Sequence, residues 1–331
     1  MKKNWLIIGG LAVIIIVAAI FLIPSQKASE QHKFATVVKL SGLAWFDRME
    51  KGTLRFGEET GNETFLLGPP KADAALQVQI VEDLIAQKVS SIAIVPFAPE
   101  ALEPVLQRAM DQGIAVISHE ASNINNVNYD VEAFDNAAYG AHFMDQLADL
   151  MGAKGEYAVM VGSLTSKSHN EFIDAAIARQ QEVYPDMTLV AERVESYDDQ
   201  KIAYERAKEL LKAYPNLGGF IGCAMTDPVG IGLAIEEMGL QDKTAVVGTS
   251  LVSVAGAYLE TGAIDAISFW DPADVGYVMN AIAARILAGE AIVDGDNLGV
   301  PGYEQITLNG KVITGQAWID VTKENMDQYD F

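Results

Sequence analysis

Cysteine is nearly missing from this chain. The single one, Cys223, cannot close an internal disulfide, so no cross-linked framework supports the fold, and no C-x-x-C redox or zinc motif exists. It also lies too far from the start to carry a lipid anchor. Positive charge is scarce: 23 Lys and Arg against 45 Asp and Glu give a formal net charge of −22. Such a surface repels nucleic acid and anionic lipid, so neither is expected as a partner. The four histidines, His32, His119, His142 and His169, are scattered, and neither an H-E-x-x-H pair nor an EF-hand loop occurs, so no metal is expected. No Walker A sequence is present, and no G-x-G-x-x-G follows the first strand, which leaves nucleotide cofactors without support. Cys223 ends a strand but has no evident base partner; it reads as pocket wall or core rather than nucleophile. No catalytic residue and no cofactor is therefore assigned.

What the chain does have is a distinctive opening and a regular rhythm. Lys2 and Lys3 lead into an apolar run over residues 5–23, closed by Pro24-Ser25-Gln26-Lys27. The grammar is that of a signal peptide, yet the run is longer than the roughly 7–15 residues usual for one and close to the ~20 that span a bilayer. Cleaved signal and retained membrane anchor both stay open for residues 1–30. Beyond them, near-continuous apolar segments at 34–39, 64–67, 91–95, 114–117, 157–161, 189–193, 219–222, 245–248 and 266–269 read as strands. Amphipathic stretches beginning at Asp73, Pro99, Glu171, Gln200, Val229 and Val275 read as helices between them. Buried strands alternating with helices of 10–15 residues mean parallel sheets covered on both faces. The length exceeds a usual single core, so the fold class is α/β with two doubly wound parallel-sheet lobes joined by a short multi-strand hinge. Crossings are expected near 130–135, 271–274 and 309–313. That assigns 31–133 plus 272–310 to lobe 1 and 134–271 plus 311–331 to lobe 2.

Ligands of open parallel sheets sit beyond the carboxyl ends of the strands, so the candidate site residues are taken from there. After the first strand come Lys39 and then Trp45, Phe46 and Asp47; aromatic faces beside a lysine suit the C–H faces and hydroxyls of a polar ring, although the two rings could equally be helix core. Phe97 follows the third strand as a stacking face or a loop plug. His119 and Glu120 follow the fourth, where a carboxylate is a good acceptor for hydroxyls. Ser168, His169 and Asn170 precede a helix that Ser or Asn could cap. Met225 and Asp227 follow the strand at 219–222, with Asp227-Pro228 also a helix-start signature. Trp270 and Asp271 end the last strand at an expected crossing.

The opening strand with Lys39 and the pair Trp45-Phe46, the segment IVPFAPEALEPVLQRAMDQGIAVIS, the run FWDPADVG from Phe269, and the ending Trp318-Ile319-Asp320 through Asn325 to Tyr329-Asp330-Phe331 together resemble the type 1 periplasmic sugar-binding proteins of ABC importers. The branch most similar holds autoinducer-2-binding and rhamnose-binding proteins. The resemblance implies ligand capture between closing lobes and docking of the closed form on a membrane permease. In the autoinducer-2 receptors a lysine after the first strand holds the ligand, which Lys39 matches. Their aspartate after the fourth strand becomes Glu120, their Asp-Gln pair becomes Ser168-His169, and a Pro and an Ala become Cys223 and Met225. These departures predict a hydroxyl pattern different from that of autoinducer-2.

The expectation is an extracytoplasmic, monomeric solute-binding protein, periplasmic or at the cell surface, that takes a small neutral sugar or polyol and passes it to an ABC importer permease. If residues 1–30 are retained, they hold it to the membrane. No arginine pair is in place for a bidentate anion clamp. The alternative is an autoinducer-2-type or sugar-sensing receptor module presenting its ligand to a signalling partner. A secreted glycoside hydrolase would need paired carboxylates, and a transcription regulator would open on a helix-turn-helix rather than an apolar run; both are disfavoured.

Overall fold

A computed structural model describes residues 31–331; the expected signal or anchor at 1–30 lies outside them. Among the described residues no helix is long and apolar enough to cross a membrane. The chain begins with β1 (Lys33–Val37), α1 (Ala44–Thr60), β2 (Glu63–Leu67), α2 (Ala74–Gln87), β3 (Ser91–Ile94), α3 (Pro99–Asp111), β4 (Ala115–His119) and β5 (Tyr129–Glu132). It continues with α4 (Asn136–Met151), β6 (Gly155–Val161), α5 (Lys167–Val183), β7 (Met187–Leu189), β8 (Val194–Glu195), α6 (Gln200–Ala213), β9 (Leu217–Gly222), α7 (Thr226–Met238), β10 (Ala245–Thr249), α8 (Val252–Thr261) and β11 (Ala266–Phe269). It closes with α9 (Pro272–Leu287), β12 (Thr307–Asn309), β13 (Val312–Thr314) and β14 (Ile319–Val321).

The strands form two sheets, ordered β12-β13-β5-β4-β3-β1-β2 and β14-β11-β10-β9-β6-β7, with β8 also on β6. Pairing is parallel throughout except at the late returns β12–β13 and β11–β14, which are antiparallel. Central strands β3, β4 and β11 are buried along their whole length, which is why they read as unbroken apolar runs. Helix starts are fixed by short polar side chains and proline. Asp73 accepts from the Ala75 and Leu76 N–H groups at 3.0 and 3.2 Å, and Asp271 accepts from Ala273 N–H at 2.8 Å just before Pro272. The lobes are tightly built. A Cβ on Gly52 of α1 would stand 1.7 Å from the Ala273 carbonyl oxygen, so only glycine lets α1 and α9 approach.

The chain passes between the sheets over 133–135, 270–271 and 315–318. The expected third crossing at 309–313 falls instead on the β12–β13 hairpin, because β13 pairs with β5 in the first sheet; residues up to Thr314 thus belong with lobe 1 rather than ending there at 310. The first and third crossings run side by side: Gly315 N–H donates to Glu132 O at 2.9 Å and Ala317 N–H to Ala133 O at 3.0 Å. Each crossing also supplies one aromatic ring. Phe134 meets Trp270 edge-on at 5.1 Å and Trp318 at 5.6 Å.

Candidate functional site

Each sheet aims its carboxyl edge at the other, and the polar side chains gathered there define the site. Lys39 follows β1, Glu120 follows β4, Asp198 follows β8 and Trp270 follows β11. His169 enters from the first turn of α5, two residues inside its start. The void they enclose is about 30 Å³, too small for a sugar ring, so the two lobes meet closely across it. A groove of about 570 Å³ exists at the opposite edge of the second sheet, by Lys154, Gly155 and Ala245. It is open to solvent and carries no converging buried charge, so size does not mark the site here.

Lys39 and Glu120 are 4 % and 7 % exposed and stand 3.6 Å apart, a buried ion pair with slack in it. Glu120 also accepts from Ser168 Oγ at 2.8 Å, a contact from one lobe to the other. Burial alone would push the Glu120 carboxyl up, but Lys39, then His119, His169 and the Ser168 hydroxyl bring it down to about 2. Burial likewise pulls the Lys39 ammonium down, and Glu120, Asp198 and Asp227 together outweigh it, so Lys39 ends above its ordinary value. His169 is lowered to about 4 by burial and then by Lys39. It is neutral at pH 7, and because its Nδ1 accepts from Gly162 N–H at 3.2 Å, its proton sits on Nε2. The site thus holds acceptors in Glu120 and Asp198 and donors in Lys39 and His169, the assortment a polyhydroxylated ligand uses.

The backbone adds a second mark. Glu120 and Asp198 adopt φ of 60° and 55°, the left-handed region that non-glycine residues enter only when their surroundings hold them there, at a cost of about 1–3 kcal/mol. Both carboxylates of the cleft are placed this way. Gly162 makes room for the second, since a Cβ there would lie 2.7 Å from Asp198 Oδ1. Trp45 and Trp270 meet edge-on at 4.7 Å with Phe46 beside them in the lining. The Trp270 indole N–H is buried with no partner, a donor left for a ligand oxygen.

Of the residues singled out from sequence, the structure brings Lys39, Trp45, Phe46, Glu120, His169, Met225 and Trp270 to the lining, and Ser168 onto Glu120. The rest stand elsewhere. Asp47 is exposed on α1. Phe97 lies outside the lining, and its carbonyl accepts from Thr165 Oγ1 at 3.0 Å across the lobes. His119 lies behind the lining: its Nδ1–H donates to Val131 O at 2.6 Å and its ring rests edge-on against Trp270. Asn170 donates to the carbonyls of Ser163 and Ser166 at 3.0 and 2.7 Å, holding the α5 start. Asp227 is buried and accepts from the Cys223 and Ala224 N–H groups at 3.2 and 2.9 Å, so it fixes a turn. Burial raises its carboxyl to about 7. Asp271 caps α9 and is taken by Arg48 through two bonds of 2.9 and 2.5 Å. Leu43, Asp198, Ala224 and Thr249 also line the cleft without having been foreseen. Of these, Asp198 sits in a tight turn that joins a two-residue strand to α6, with no strand-end signal in the sequence.

Among the described residues no group of three or more His, Cys, Asp or Glu side chains is placed to hold a metal, and no arginine lines the cleft. The fold has counterparts in solved structures. One is an ABC transporter solute binding protein from Clostridium phytofermentas with bound L-rhamnose (TM-score 0.84, 22 % identity, covering 90 % of this chain and 98 % of that one). Another is LsrB from Clostridium saccharobutylicum in complex with AI-2 (TM-score 0.83, 20 % identity, 90 % and 100 % covered). In sequence, the D-allose-binding periplasmic protein of Escherichia coli (strain K12) is 28 % identical over 265 residues, 77 % of this chain and 84 % of that protein. A family described as "Periplasmic binding protein domain" matches residues 34–291. The chain belongs to the periplasmic binding protein domain family.

Proposed function

We propose that this protein captures a small neutral sugar or polyol in the interlobe cleft, outside the cytoplasm, and delivers it to an ABC importer. The observation that carries the reading is the buried Lys39–Glu120 pair, 3.6 Å apart and bridged to the second lobe by Ser168. A ligand hydroxyl inserted there donates to Glu120 and accepts from Lys39, exchanging a loose ion pair for two charge-assisted hydrogen bonds. The flanking rings Trp45 and Trp270 cover C–H faces. The absence of arginine from the lining disfavours phosphates and dicarboxylates. Relatives named for allose, rhamnose and AI-2 support a small hydroxylated ligand, and the family supports a periplasmic setting.

Closure follows from the same geometry. Ser168 on Glu120 and Thr165 on Phe97 O join the lobes, and a ligand bridging Lys39 and His169 adds contacts that exist only when the lobes are shut. That differential binding is what shifts the open–closed equilibrium. Thermal-shift screening against pentoses, hexoses, deoxysugars, polyols and autoinducer-2 tests the reading. At least one sugar should raise Tm as its concentration exceeds Kd, at about 2.7 kcal/mol of added stability for a hundredfold excess. No response from any of them, with a response to an amino acid or a carboxylate, sinks it.

A further inference from the structure

We infer that Glu195, which stands outside the cleft lining, is a positioning residue for the meeting of the lobes: it holds the turn 163–166 in the shape from which Thr165 reaches the other lobe. The inference rests on the reading of the cleft as a sugar site and concerns how that site is shut. Register puts Glu195 in place. β8 is two residues long and pairs with the end of β6, so Glu195 lies opposite Val161, the last residue before β6 runs into the turn. From a neighbouring strand, about 4.8 Å away, a glutamate reaches the backbone of that turn. Its Oε1 accepts from Leu164 N–H at 2.8 Å and from Ser163 Oγ at 3.3 Å. Its Oε2 accepts from Tyr197 Oη at 3.1 Å, and Tyr197, at φ 57°, leads into Asp198 of the lining. One carboxylate therefore ties together two loops of lobe 2.

The hydroxyls of the turn are assigned by what their partners can do. The Phe97 carbonyl only accepts, so the single Thr165 hydroxyl hydrogen is committed across the lobes, at 3.0 Å. Thr165 Oγ1 in turn accepts from Ser163 Oγ at 2.9 Å, and Ser163 Oγ accepts from Thr165 N–H at 3.1 Å. Ser163, 3 % exposed, has one hydrogen and shares it between Thr165 Oγ1 and Glu195 Oε1. The Ser163 carbonyl accepts from Ser166 N–H at 3.1 Å and from Asn170 Nδ2 at 3.0 Å, which closes the turn. Thr165 itself is exposed, and an exposed threonine left alone gives its hydroxyl to water. The chain from Glu195 through Ser163 fixes where that hydroxyl points, so the bond to Phe97 forms with little further ordering.

The test is calorimetric titration of the full chain with D-allose, L-rhamnose and xylitol, and then with every other member of the thermal-shift panel that raises Tm, beside urea unfolding of each variant. Glu195→Ala should weaken binding about three- to tenfold, and Glu195→Gln, which keeps one acceptor oxygen, should recover most of it. Thr165→Val should cost as much. Glu195→Ala combined with Thr165→Val should cost no more than Thr165→Val alone, because both act through one bond. Additive losses of affinity, or an unchanged affinity with only the unfolding midpoint lowered, overturn the inference and leave sugar binding standing. Binding of no sugar or polyol overturns both. If Glu195→Ala does not fold, Glu195→Asp, one methylene short of Leu164 N–H, takes its place in the same cycle with the same outcomes.

Discussion

Two ion pairs whose basic members, Lys39 and Arg48, lie close in sequence differ in kind. Arg48–Asp271 is tight and bidentate, at 2.9 and 2.5 Å, with side chains 24 % and 16 % exposed. The Asp271 oxygen facing it also caps α9, and the guanidinium lies 3.9 Å from the Phe331 ring centre. Both carboxylate oxygens are used. Lys39–Glu120 is buried and loose at 3.6 Å, and Glu120 holds a backbone conformation that a free chain would avoid. The complete pair is scaffold; the incomplete pair is where a ligand fits. Asp271, attractive in sequence because a tryptophan precedes it, belongs to the scaffold.

The sharpest way to break this contrast is Lys39→Met. It strands a buried carboxylate, which costs about 3–5 kcal/mol, and urea titration should show that loss along with abolished sugar binding by calorimetry. Adding Glu120→Gln should restore most of the stability and none of the binding; restored binding would make the pair structural only.

Next comes pH. Near pH 5 the unfolded chain holds a proton on His169, whose folded value is lowered from 6.5 to about 4. The folded chain holds one on Asp227, raised from 3.8 to about 7. The His169 contribution is intact above pH 6.5 and lost as pH falls towards 4, while the Asp227 contribution is intact below 3.8 and lost as pH rises towards 7. Between 4 and 6.5 their slopes cancel. His169→Gln should therefore make stability rise on acidification relative to wild type, by about 1.4 kcal/mol per pH unit, and Asp227→Asn should tilt it equally the other way. Parallel wild-type and variant pH curves would contradict these assignments.

The smallest effect is expected at the scaffold pair. Arg48→Met, on a partly exposed bridge, should cost about 1 kcal/mol in urea titration and change sugar affinity less than threefold; a larger loss of affinity would place Arg48 in the site.

Much of this was legible in the sequence, for physical reasons. Strands such as SIAI and AVISH lie inside sheets covered on both faces, so their pattern is unbroken. The segments that escaped are those whose residues answer to local rather than periodic demands. β5 reads YDVE, and its acids are buried: Asp130 accepts from Ser118 Oγ at 2.6 Å. Nothing in a period marks such a strand. α4 carries Gly140 in mid-helix, a poor helix former, because a Cβ there would stand 2.0 Å from the Phe172 carbonyl oxygen of α5. For the site, strand ends pointed to Lys39, Glu120 and Trp270, but the roles of Asp227 and Asn170 depend on which backbone groups need partners, and that is settled only by the turns they close. Asp198 was missed because a turn, not a strand, presents it.

The crossings between the lobes are joined by rings as well as by peptide. Phe134, Trp270 and Trp318 come one from each crossing and touch in series, and Trp270 also forms part of the cleft wall. Rotation at these edge-on rings breaks no hydrogen bond between them, while parting the lobes has to separate Ser168 from Glu120 and Thr165 from the Phe97 carbonyl. The same tryptophan thus belongs both to the cleft wall and to the crossings, so on the proposed reading a ligand that presses its indole acts directly on the pivot.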